Sequence, residues 1–135
     1  MIQIPKTELE NRNELLKQAM LKSDIDAVFL PLGIYFQYYF GKSASPSERI
    51  IMGVIPSDGD SFILTPTFEK SNLMKSTYVE DYITWDETES PYKKFSKELS
   101  DRNIGYNILV DPKLWISEVE KINTYSDLNI LSGHD

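Results

Sequence analysis

Cysteine is absent from the 135 residues, and histidine occurs once, at His134. The first absence excludes disulfides and thiolate metal sites and suits a reducing cytoplasm. The second removes the residue that most often serves as general base or metal ligand in hydrolases. His134 stands one residue from the end of the sequence, where chains are normally mobile, and is read as non-catalytic. Arginine is scarce too, with three among 14 basic residues against 21 acidic ones. The resulting net charge of -7 repels a phosphate backbone, so no nucleic acid partner is expected.

No apolar run approaches the roughly 18 residues needed to cross a bilayer. Glu8, Glu10, Arg12, Glu14 and Lys17 leave no apolar core for a signal peptide in the first twenty residues. The sequence is therefore expected to be soluble and cytoplasmic, with no membrane partner. There is no P-loop, no Gly-x-Gly-x-x-Gly and no nucleophile elbow. Acidic pairs occur at Asp24 and Asp26, Asp58 and Asp60, Glu80 and Asp81, and Asp86 and Glu87. They fall in separate turns, whereas a hard cation needs several converging oxygens. No catalytic, metal-ligating or cofactor-binding residue is assigned in this chain.

What is present is an ordinary globular composition, 41% hydrophobic and 12% aromatic, of a length suited to one domain. Leu9, Leu16 and Met20, with Leu15 and Ala19, form an apolar stripe at helical spacing, which predicts a helix over about Glu8 to Lys22. Thr7 and Glu10 have the spacing of a capping box. Ala27 to Leu30 is a short apolar run of the kind expected for a strand covered on both faces. Five of the six residues Tyr35 to Phe40 are aromatic, and they are read as a crowded turn whose rings pack under another element or face a partner.

Ile50 to Ile55 and Ser61 to Leu64 predict two strands joined by a hairpin at residues 56–60, where Gly59 accepts a positive φ. Thr65-Pro66, Ser90-Pro91 and Asp111-Pro112 each place a capping side chain before a proline and mark helix starts. The first of these helices is expected to reach about Lys75. Val79 to Trp85 predicts a fourth strand. Tyr92, Phe95 and Leu99 form a helix stripe that ends near Asn103 to Gly105, followed by a strand at Asn107 to Val110. Trp115, Val119 and Ile122 predict the last helix and Leu128 to Leu131 the last strand. Strands alternating with helices, plus one hairpin, imply a three-layer α/β/α domain with a mixed sheet of about six strands.

Several of these features occur together in one known family. The helix ending at Met20, Asp26-Ala27 before the strand, Gln37-Tyr38-Tyr39-Phe40-Gly41, Pro46-Ser47-Glu48-Arg49, Leu64-Thr65-Pro66 and Phe68-Glu69 resemble the amino-terminal domain of the creatinase, prolidase and aminopeptidase P family. The resemblance covers nearly all of residues 1–135 and implies the same architecture. It also implies a larger carboxy-terminal domain in which two Asp, one His and two Glu hold two divalent metal ions such as manganese or cobalt. That domain is expected as this chain's partner, within a homodimer acting on Xaa-Pro peptides. The chain itself is expected to be non-catalytic and to serve dimer formation and to wall the active-site entrance. Candidate entrance and interface residues are Arg49, Tyr35, Tyr38, Tyr39 and Phe40, with Gly41 and Pro46 shaping the loop. The alternative is a free-standing binding or assembly module that grips a protein through residues 35–40.

Overall fold

The computed structural model describes residues 4–41, 50–111 and 116–132. Arg49, Pro46, Pro112, Trp115 and His134 lie outside the described residues. The chain runs α1 (Lys6–Lys22), β1 (Ala27–Pro31), α2 (Ile34–Phe40), β2 (Met52–Pro56), β3 (Phe62–Pro66), α3 (Lys70–Ser76), β4 (Tyr82–Trp85), α4 (Pro91–Asp101), β5 (Asn107–Val110), α5 (Ile116–Tyr125) and β6 (Asn129–Ser132). A 3-10 turn, Thr67–Glu69, precedes α3.

All six strands form one sheet in the order β4-β3-β2-β1-β5-β6. β2 is antiparallel to β1 and β3, as the hairpin signal requires, whereas β1 with β5, β5 with β6 and β3 with β4 are parallel. The sheet is thus mixed, and the three-layer expectation holds. Because side chains alternate across a strand, Ala27 and Phe29 of β1 join one core cluster while Val28 and Leu30 join the other. The first cluster includes Phe95, Leu99 and Ile122 from α4 and α5. The second includes Met20, Phe36, Phe40 and Leu73 from α1, α2 and α3. The first and last helices therefore cover opposite faces.

α1 and α4 end alike without glycine. After α1, Asp24 has φ 58° and Ile25 N–H donates back to Met20 O at 2.9 Å. After α4, Asn103 has φ 57° and Ile104 N–H donates to Leu99 O at 3.0 Å. This six-to-one bond satisfies a terminal carbonyl and folds an isoleucine back over the helix. Gly105 has a different purpose from the expected cap. A Cβ there would lie 2.3 Å from the Asp26 carboxyl group, which reaches past it to accept from Asn107 N–H at 2.9 Å.

Other local expectations are corrected. α1 begins after Pro5, with no side-chain cap, so Thr7 and Glu10 form no capping box. Pro5 fixes φ at -60°, and its carbonyl accepts from Glu8 and Leu9 N–H. Pro66 ends β3 rather than starting a helix, and Thr65 is a buried strand residue. β4 starts at Tyr82, because Val79 packs into the core before strand pairing begins. Ser90-Pro91 does open α4, with Lys93 N–H donating to Ser90 Oγ at 3.3 Å.

Candidate interaction surface on the aromatic helix

The aromatic segment is a helix, not a turn, and its two phenylalanines explain why. Phe36 and Phe40 are four residues apart, share one face and are fully buried, with ring centroids 4.8 Å apart. Phe40 packs directly on the backbone of β2: a Cβ on Gly53 would come within 2.3 Å of its ring. Tyr78 stacks on the same ring with centroids 6.4 Å apart. Phe40 is accordingly a core residue, and its assignment as an interface candidate is corrected. A ring with no exposed surface has nothing to offer a partner.

α1 holds the carboxy-terminal end of α2. Arg12 Nη1 donates to Tyr38 O at 2.8 Å and Asn13 Nδ2 to Tyr39 O at 3.0 Å. Both carbonyls belong to the last helical turn, which has no intrahelical donors. Gly41 supplies a third closure, with φ +90° and its N–H donating to Gln37 O at 2.9 Å. Asn13 is only 4% exposed, and its Oδ1 accepts from Ser61 Oγ at 2.8 Å, so both ends of the amide are satisfied.

With Phe36 and Phe40 inward, Ile34, Tyr35 and Tyr38 face out. Ile34, Tyr35 and Tyr38 are 66%, 51% and 48% exposed, large values for side chains of this type on one short helix. Arg12 sits over Tyr38, its Cζ 4.2 Å from the ring centroid, while its Nε pairs with Glu8 at 3.1 Å. Tyr39 is half-buried and meets Tyr38 edge to face at 4.9 Å. Burial pushes the Tyr39 hydroxyl pKa up, and the neighbouring Tyr38 and Tyr35 add to the rise while Arg12 opposes it. The surface is thus a set of amphipathic phenol rings on one helix. Such rings bring large contact area at small entropic cost.

Members of two of the acidic pairs are engaged in the fold. Asp26 holds the start of β5, and the Asp24 carbonyl accepts from Asn107 Nδ2 at 3.2 Å. Asp81 takes a two-pronged hydrogen bond from Arg102, at 2.6 and 2.9 Å. That guanidinium also covers the ring of Phe62 at 4.0 Å, and the hydrogen bond to Asp81 raises its pKa further. In the sequence Arg102 carries only one local signal, a basic residue at a helix end. Among the described residues, no group of three or more His, Cys, Asp or Glu side chains is placed to hold a metal ion. Among the same residues, no helix is long and apolar enough to cross a membrane.

Comparison with known proteins agrees with this architecture. An uncharacterised peptidase of Staphylococcus epidermidis is 24% identical over 115 residues, which are 84% of this chain and 33% of the relative. An uncharacterised peptidase of Schizosaccharomyces pombe is 29% identical over 107 residues, 68% of this chain and 24% of the relative. The chain thus spans about a third or less of the curated relatives it matches. Among solved structures, the N-terminal domain of a Xaa-Pro dipeptidase from Lactobacillus brevis superposes with a TM-score of 0.76 at 18% identity, covering 87% of this chain and 89% of that one. A dipeptidase from Mycobacterium ulcerans superposes with a TM-score of 0.81 at 17% identity, over 96% of this chain and 36% of that one. The model of the Creatinase/Prolidase N-terminal domain matches residues 12–123, from α1 into α5, and the chain belongs to that family.

Proposed function

We propose that this chain is the non-catalytic amino-terminal domain of a metal-dependent Xaa-Pro peptidase of the dipeptidase or aminopeptidase P type. In this reading it serves dimer formation and walls the entrance to a catalytic site. The observation that carries the proposal is the outward face of α2, where Ile34, Tyr35 and Tyr38 stand exposed on a helix whose other face is locked into the core. Exposed apolar and aromatic clusters on a rigid element favour a protein partner. The partner proposed is the protein's own carboxy-terminal catalytic domain, in the same or the neighbouring subunit of a cytoplasmic homodimer. Two divalent metal ions such as manganese or cobalt, held by that domain, would polarise the scissile carbonyl and activate water. Nothing in the present chain is assigned to that step.

Arg49, which lies outside the described residues, is proposed as a further contact of the same partner. Its planar guanidinium suits a carboxylate, either on the facing domain or on the substrate. Arg49→Ala in the full-length protein is expected to leave the Tm nearly unchanged while lowering kcat/KM about tenfold or more on an Xaa-Pro peptide, equal to roughly 1.4 kcal/mol of transition-state binding. Unchanged kinetics in a folded dimer would return Arg49 to ordinary solvent-facing duty and leave this domain a purely architectural role.

A further inference from the structure

The turn between β2 and β3 carries the one place in the sequence where an aspartate or asparagine precedes glycine, Asp58-Gly59. A backbone amide nitrogen that follows an aspartate can attack the side-chain carboxyl carbon. A Cβ on the attacking residue crowds that approach, and glycine has none. Other aspartates of the fold are tied up. The Asp26 carboxylate accepts from Asn107 N–H at 2.9 Å, and Asp81 is held by Arg102 at 2.6 and 2.9 Å. The residues that follow these two, Ala27 and Tyr82, are the first residues of β1 and β4.

At the turn the reacting groups are open. Asp58, Gly59 and Asp60 are exposed, and Gly59 has φ +105°, a conformation that side-chain-bearing residues rarely adopt. A Cβ built on Gly59 would meet no atom within 4 Å. The two ends of the turn are anchored, since Ser57 N–H donates to Asp26 O at 2.9 Å and Ser61 Oγ to Asn13 Oδ1 at 2.8 Å. Between them, among the described residues, the Asp58 carboxyl group and the Gly59 N–H make no hydrogen bond. The Gly59 carbonyl is fastened instead: Lys17 Nζ on α1 donates to it at 2.6 Å.

From these observations we propose that Asp58-Gly59 is a self-modification site, at which the folded chain converts Asp58 to isoaspartate and thereby frees the hairpin from α1. The Gly59 nitrogen attacks Cγ of the neutral Asp58 carboxyl group. An N–Cγ bond forms, the Cγ–OH bond breaks, and the hydroxyl leaves with the amide proton as water, closing a succinimide ring. Water then reopens the ring. Attack at Cγ restores aspartate, whereas attack at the Asp58 main-chain carbonyl carbon breaks its bond to nitrogen and leaves isoaspartate. One water leaves and one returns, so solvent is the only co-reactant. The product lengthens the main chain by one methylene between Asp58 Cα and Gly59 N, which moves the Gly59 carbonyl away from Lys17. Two residues on, Ser61 supports Asn13, which holds the Tyr39 carbonyl at the end of α2. The modified turn therefore loosens α2 without touching it. The reaction uses no residue of α2 and does not depend on what the outward face of that helix meets.

The test is prolonged incubation of the 135-residue chain at neutral pH beside a capped peptide spanning residues 56–61. Electron-transfer fragmentation then distinguishes isoaspartate from aspartate at equal mass. Isoaspartate is expected at position 58 at a rate within about tenfold of the peptide's, because an exposed turn opens at little cost in free energy. Asp26 and Asp81 should remain aspartate. A slower rate in the folded chain, or conversion at Asp26 or Asp81 to the same extent, overturns the proposal. Asp58→Asn keeps a residue suited to the turn. It should react faster, since its amide expels ammonia directly whereas a carboxyl group is mostly ionised at neutral pH. An unreactive variant overturns the proposed ring closure. In the converted chain, separated by chromatography, amide exchange should rise about threefold or more at Tyr38–Gly41 and stay unchanged in α4. Equal exchange at Tyr38–Gly41 in converted and unconverted chains overturns the release of α2.

Discussion

The two faces of the sheet combine apolar packing and polar ties in different places. On the α4 and α5 face, Phe29 packs edge to face with Phe95 at 5.2 Å, Phe62, Leu64, Ile108 and Ile122 fill the space around them, and the polar ties lie at the margins, where Arg102 bonds Asp81 and Ser96 Oγ donates to Tyr125 O at 2.6 Å. On the α1 and α2 face, an equally apolar layer is overlaid by polar fastenings, in which Arg12 and Asn13 hold the end of α2 and Ser61 holds Asn13. The difference teaches where function can be accommodated. A helix held by apolar packing alone must turn its hydrophobic side inward. One also pinned by its backbone carbonyls can keep Tyr35 and Tyr38 in solvent without losing its place.

That contrast is broken most severely at its centre. Phe29→Ala removes a fully buried ring from an interior strand and is expected to cost about 3 to 5 kcal/mol in chemical denaturation of the chain. A loss below about 1 kcal/mol would mean that the α4 and α5 face is not closed by packing at all. A smaller effect sharpens the other side. Asn13→Ala should cost about 1 to 3 kcal/mol, because the Tyr39 carbonyl and the Ser61 hydroxyl lose a partner at a site shielded from water. Its amide exchange should rise in α2 before it rises in α4. Uniform acceleration across both faces would instead show that the fastenings are not local to α2.

Legibility from the sequence followed the same division. Ser90-Pro91, the run Asn107 to Val110 and the two-sided apolar run of β1 are read correctly because each signal is local: a cap, a proline at the first helical position, a short apolar block. α2 is not legible as a helix because seven residues rich in aromatics are too few to form one by propensity, and isolated helices under about 12 to 15 residues are marginal in water. Its carbonyls are satisfied by residues 26 positions earlier in the chain, a relation that no local window contains. The exposed tyrosines could have been found by applying a period of 3.6 to the segment, since Phe36 and Phe40 fall together and Tyr35 and Tyr38 do not fall with them. Gly53 is different: its role, to admit the ring of Phe40, depends on a strand contact that only the fold creates.

The central claim is that α1 and α2 support a surface built to be covered, while α4 and α5 close a core. Hydroxyl-radical footprinting of Tyr35 and Tyr38, in the 135-residue chain and in the proposed full-length dimer, tests it most directly. Both rings are about half exposed in the chain alone, whereas Phe95 is fully buried and serves as the internal reference. The account predicts that oxidation of Tyr35 and Tyr38 falls about fivefold or more in the proposed full-length dimer, as expected for rings at the dry centre of an interface, while labelling of Phe95 stays unchanged. Equal labelling of the two tyrosines in both forms would contradict it.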